Sequence, residues 1–127
     1  MLVSQDLNYS KYQIQSYDTQ KSQAKITINH HIYTHSVLIH NNELIVPWRP
    51  QCFSELTLED FEMIYLNPPA VLLLGTGIEF HIPSMELLRP LFEKGIGIEF
   101  MDSAAACRTY SVLTAQDTKV SLALIIN

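Results

Sequence analysis

Three apolar runs in the C-terminal half most constrain the fold of this chain: Ala70 to Gly77 (AVLLLGTG), Ile96 to Met101 (IGIEFM) and Val120 to Ile126 (VSLALII). Val71 to Leu74 is uninterrupted and bounded by Pro69 and Gly75, the pattern of a strand buried on both faces. Helical signals separate the runs. Ser84 is placed to cap one helix, with Glu86 in its first turn, Leu87, Leu88, Leu91 and Phe92 on an apolar face, and Lys94-Gly95 as its end. Pro90 inside it removes an amide hydrogen bond and predicts a kink or a shortened helix. Asp102 or Ser103 caps the second helix, which is expected to reach about Leu113. This β-α-β-α-β order is that of parallel strands crossed by helices, so strand exits and helix starts share one edge of the sheet.

The N-terminal half reads as β structure. Residues 1–22 are polar and are expected to form a mobile start, with a strand around Tyr12 to Tyr17. From Ala24 to Trp48 the pattern is a β-meander. Ile26 and Ile28 alternate with Lys25 and Thr27, Asn29-His30 turn the chain, and His31 to His40 forms the next strand. Asn41-Asn42 supplies the left-handed residues of a hairpin before Glu43 to Val46. Leu56 to Leu66 is expected to be a short helix capped by Thr57 and ended by Asn67-Pro68-Pro69. No repeat or linker interrupts the order, so 1–127 is expected to be one domain of α/β class.

The chain is 47% hydrophobic and 17% charged, with a net charge of −5. Such a composition needs both faces of a sheet covered, or an apolar surface kept for a partner or a homo-oligomer. The lysines and arginines are scattered, which argues against the phosphate-neutralising face of a nucleic-acid binder. No apolar run approaches the roughly 20 residues of a spanning helix, so no membrane insertion is expected. Two cysteines in unlike contexts, Cys52 and Cys107, and an N-terminus without leader character point to the cytoplasm. No cofactor is implied.

Gly75-Thr76-Gly77 can bring backbone amides close to an anion, or can simply serve a tight chain path. A dinucleotide fingerprint would want glycine where Phe80 stands, and the lysine of a P-loop is missing. Asp102 and Ser103 are capping residues that could also open a crevice beside the glycine turn. Arg108 is the only charge between Ser103 and Gln116. It can pair with Asp102, Glu79 or Glu99, or bind an anion or a partner carboxylate. Cys107 shares a helical face with Ala106, Tyr110 and Leu113, as a small hydrophobe would, and a nucleophilic role would need His81 as a distant base. Trp48, between prolines, is a core or edge anchor or a binding residue. His31 and His35 would sit about 13 Å apart on one strand, too far for one metal, so His30, His31, His35 and His40 read as a solvated hairpin surface without a metal site.

Met101 to Tyr110 (MDSAAACRTY), with Gly75-Thr76-Gly77, Gly95 to Glu99 (GIGIE) and the Pro47-Trp48 strand end, resembles the Mth-domain family from about Ser22 to Ile126. Ser103 stands where the family usually has threonine, which keeps the hydroxyl cap. The family has no defined biochemical activity and includes an adipogenesis-associated member and a mitochondrial assembly factor of respiratory complex I. The resemblance implies a three-layer α/β fold with a mixed central sheet and an added β-rich layer. It also implies a noncatalytic protein-binding or assembly role, with Gly75 to Gly77, Asp102, Ser103 and Arg108 as the recognition patch. The alternative is an enzyme or a binder of small anions using the same crevice with Cys107.

Overall fold

The computed structural model describes residues 11–20 and 23–127, so most of the expected mobile start lies outside the described residues. Five strands, β1 (Ile14–Asp18), β2 (Lys25–Ile28), β3 (His31–Tyr33), β4 (Val37–His40) and β5 (Glu43–Ile45), precede a short helix, α1 (Glu62–Leu66). Then come β6 (Val71–Gly75), α2 (Met85–Phe92), β7 (Gly97–Met101), α3 (Ser103–Ala115) and β8 (Val120–Leu124). β1, β2 and β3 form an antiparallel meander, while the central sheet has the order β5-β4-β8-β6-β7. That sheet is mixed: β6 runs parallel to both β7 and β8, and β4 runs antiparallel to β8 and β5.

The chain leaves β6 toward β7 on one side and then returns past β6 to β8 on the other. Because such crossovers keep a right hand, opposite directions of travel put α2 and α3 on opposite faces of the sheet. Period-two alternation then divides the core between them. Leu73, Leu122 and Leu124 face one apolar cluster with Ala106, Cys107 and Tyr110 of α3 and with Ile26 and Ile28 of the small sheet. Leu72, Leu74 and Ala123 face the other, with Phe61, Ile64 and Leu91. The three layers are therefore the meander with α3, the central sheet, and α1 with α2.

The stretch His31 to His40, expected as one strand, is two strands in two different sheets. The break falls at Ser36, which is pinned on three sides. Its amide donates to Gln51 Oε1 (3.2 Å), its hydroxyl accepts from the Ile126 amide (2.9 Å), and its carbonyl accepts from the Trp48 amide (2.7 Å). The hairpin turns follow the sequence reading, with φ of 48° and 69° at Asn29 and His30 and of 51° and 63° at Asn41 and Asn42. The helix expected over Leu56 to Leu66 begins instead as a 3-10 turn, Leu58–Phe61, before α1. Asp60 shapes that turn by accepting from the amide (2.8 Å) and hydroxyl (3.0 Å) of Thr57. It also holds Arg49 through two bonds of 2.7 Å. Burial pushes the Asp60 carboxyl up, but the bonds from Arg49 and Thr57 outweigh it and hold the group below the usual range.

His40 corrects the reading of four histidines as a solvated surface: His30, His31 and His35 are exposed, whereas His40 is buried. It lies on the helix side of β4, with Nδ1 2.6 Å from Ser121 Oγ and Nε2 without a hydrogen-bond partner. Burial lowers its pKa, and the nearby Met63 carbonyl opposes that without reaching hydrogen-bond geometry.

Candidate functional site

The glycine turn and the α3 start do meet, and what they form is a packed joint. The Ser103 amide donates to the Gly77 carbonyl (2.8 Å), and the Thr76 amide donates to the Met101 carbonyl (2.8 Å). Ser103 Oγ donates to the Ile125 carbonyl (2.6 Å) and accepts from the Gly77 amide (3.0 Å). One hydroxyl thus joins the exits of β6 and β8 to the helix. Asp102 caps α3 by accepting from the Ala105 amide at 2.8 Å. Gly75, Thr76, Gly77 and Ser103 are all buried. A Cβ on Gly75 would stand 2.9 Å from Ser103 Oγ and 3.2 Å from Ala106 Cβ, so the glycine is required by close helix–strand approach. Gly77, at φ +120°, adopts a backbone that side chains disfavour. The α3 start is filled by the chain itself rather than opened as a crevice.

Of the remaining candidates, Cys107 and Arg108 line one recess, while Trp48 and His81 lie elsewhere. Trp48 is core: its ring meets Phe61 edge-on at 5.8 Å, and its indole nitrogen donates to the Asp60 carbonyl (3.2 Å). Cys107 is buried against the meander, and burial pushes its thiol up to about 12 despite the opposing charge of Arg108. Burial of this kind disfavours the thiolate, the reactive form. His81 is far from supplying a base to it, because its ring stacks on Phe53 at 4.8 Å, on the helix-covered side. Arg108 is exposed and borders a recess of about 160 Å³ that also involves Tyr17, Gln15 and Ser111. Among the described residues the one ion pair is Arg49 with Asp60, so Arg108 pairs with neither Asp102, Glu79 nor Glu99.

A surface that the sequence reading passed over begins where the joint ends. Ile78, Phe80 and Ile82 are exposed by 48%, 54% and 73%. Their alternation with Glu79 and His81, after a glycine turn and before Pro83, is the signal that could have marked it. The loop is held from both sides: Phe80 stacks on Phe100 of β7 at 6.2 Å, and His81 stacks on Phe53. Thr76 Oγ1 fixes its base by donating to the Glu79 carbonyl (3.1 Å) and accepting from the His81 amide (3.0 Å). Beside it runs a groove of about 520 Å³ lined by Phe53, Leu56, Leu58, Ile82, Glu86 and Leu87 among others. Among the described residues no cluster of His, Cys, Asp and Glu could hold a metal ion, and no helix is long and apolar enough to cross a membrane.

Comparison with known proteins agrees with this architecture. The solution structure of a Xanthomonas campestris protein superposes with a TM-score of 0.79 at 31% identity, covering 99% of this chain and 92% of that one. That of a Bordetella pertussis protein described as a Mth938-like domain gives 0.72 at 25% identity, over 94% and 86% of the two chains. The NADH dehydrogenase [ubiquinone] 1 alpha subcomplex assembly factor 3 of Danio rerio is 32% identical over 83 residues, 64% of this chain and 48% of that protein. The chain thus spans about half the length of that relative. Residues 18–125 match the family model described as protein of unknown function (DUF498/DUF598). The chain belongs to this family, the Mth-domain proteins.

Proposed function

We propose that this chain is a noncatalytic protein-binding or assembly module, related in role to the assembly of respiratory NADH dehydrogenase and working in the cytoplasm. The observation that carries the reading is the fixed, exposed apolar loop Ile78 to Ile82. Exposed apolar side chains held by ring stacking and backbone locks present a preformed contact surface, which loses little entropy on binding. The relationship to proteins named as assembly factors supports the same reading. In it, the recognition patch expected from sequence divides in two. Gly75, Thr76, Gly77 and Ser103 act as the scaffold that aims the loop, while Arg108, with half-buried Asp102 near it in sequence, offers a second and polar contact. The alternative use of Cys107 as a nucleophile has no observation in its favour.

The test is made in the host cell. Disrupting the gene should lower the amount of fully assembled NADH dehydrogenase in native gels, and the wild-type chain should restore it. Phe80→Ser with Ile82→Ser should fail to restore it while accumulating as folded protein in the cytoplasmic fraction, and Arg108→Ala should restore it partly. Normal assembly in the disrupted strain would refute the role in NADH dehydrogenase assembly, and full rescue by the loop variant would refute the surface.

A further inference from the structure

We propose that the groove beside the Ile78–Ile82 loop takes a cationic amphipathic segment of a partner protein, an inference that rests on the protein-binding reading above. The apolar part of the argument is the groove of about 520 Å³ together with Ile82, Leu58 and Met85, all exposed at its rim or beside it. The charge part is the set of acids around it. Glu86 lines the groove, and Glu55 and Glu59 lie in the segments that supply Phe53, Leu56 and Leu58. Glu79 is exposed next to Phe80, which stacks on Phe100. Among the described residues none of these four carboxylates is in an ion pair.

The nearby cations offset them only in part. Arg49 bonds to Asp60 and lies in the field of Glu55 and Glu59, Lys94 lies over the Tyr65 ring at 4.4 Å, and Arg89 follows Glu86 by one turn of α2, so these three cations are outnumbered by Asp60 and the four glutamates. An apolar floor with a carboxylate rim is complementary to a segment that alternates apolar side chains with lysine or arginine. A second copy of this chain is a poor occupant, because a two-fold contact through this face would set the same glutamates against one another. An anionic bilayer is disfavoured by the same rim.

The full chain is titrated, with fluorescence anisotropy as readout, into three dye-labelled peptides: an amphipathic helix of leucine and lysine, the same helix with glutamate for lysine, and a shuffled leucine–lysine sequence. The leucine–lysine helix should bind, more weakly as salt rises, and Ile82→Ser and Glu86→Lys should each weaken it roughly tenfold, as central interface residues do. Ile32→Ser, which alters an exposed apolar residue of the small sheet, should leave binding unchanged. Equal binding of the glutamate helix overturns the charge inference while the protein-binding reading stands. Equal binding of the shuffled peptide, or undiminished binding by Ile82→Ser, shows nonspecific attraction and overturns the groove. No binding of the leucine–lysine helix overturns the inference outright, and loss of rescue by the loop variant in cells then still upholds an assembly surface of different chemistry.

Discussion

His40 is the residue at which burial and titration meet most directly. Its ring is enclosed between β4, β8 and α1, with one nitrogen on Ser121 and the other unbonded. Burial lowers its pKa from the ordinary 6.5, Lys119 adds to that, and the Met63 carbonyl and Glu43 oppose it. The unfolded chain therefore binds the proton first as pH falls, and the stability held at neutral pH declines from about pH 6.5 down to the folded value. Urea midpoints measured between roughly pH 7.5 and 5 should fall for the wild type, and His40→Gln should flatten that window. A wild-type midpoint that stays level across it would mean that the ring is not buried neutral. Nothing in the sequence marked His40 apart from its three exposed neighbours. Its burial follows from a strand covered on both faces, which the short run Val37 to His40 does not reveal until β8 is placed beside it.

At the level of elements, the joint between β6, β8 and α3 depends on one hydroxyl. Ser103→Ala would leave the Gly77 amide and the Ile125 carbonyl without that partner, a loss of about 1–3 kcal/mol for buried groups. Ser103→Thr keeps the hydroxyl and should cost much less. Gly75→Ala would push a methyl against Ser103 and Ala106 and should also cost about 1–3 kcal/mol. Thermal or urea unfolding ranks the three, and a Ser103→Ala protein as stable as wild type would remove the joint as a structural lock. The meeting of these elements was legible, because glycine after an apolar run and Asp-Ser before a helix place their own local geometry. What was not legible was closure: capping residues look alike whether the helix start faces solvent or, as here, a carbonyl of the neighbouring turn. The split of His31 to His40 was hidden for a similar reason. Ser36 is an ordinary strand residue until Trp48, Gln51 and Ile126 arrive from distant parts of the chain to hold it.

For the whole molecule, the parallel core was read correctly from apolar runs, whereas the assignment of β4 and β5 to the central sheet was not, since hairpin signals say nothing about which sheet a hairpin joins. The surface that now carries the functional proposal was missed because its alternation of apolar and polar residues reads equally as a strand with one buried face, and only the folded chain shows the apolar side left exposed. The strand order has a further consequence. β8, the last of the described strands, lies between β4 and β6 and joins the parallel and antiparallel parts of the sheet. A chain ending before Val120 should therefore lack dispersed amide signals and cooperative unfolding, and a folded truncation would contradict the strand order. During synthesis, neither face of the core can close until Leu124 has cleared the ribosome, so the nascent chain must keep the apolar runs of β4 and β6 uncovered until then.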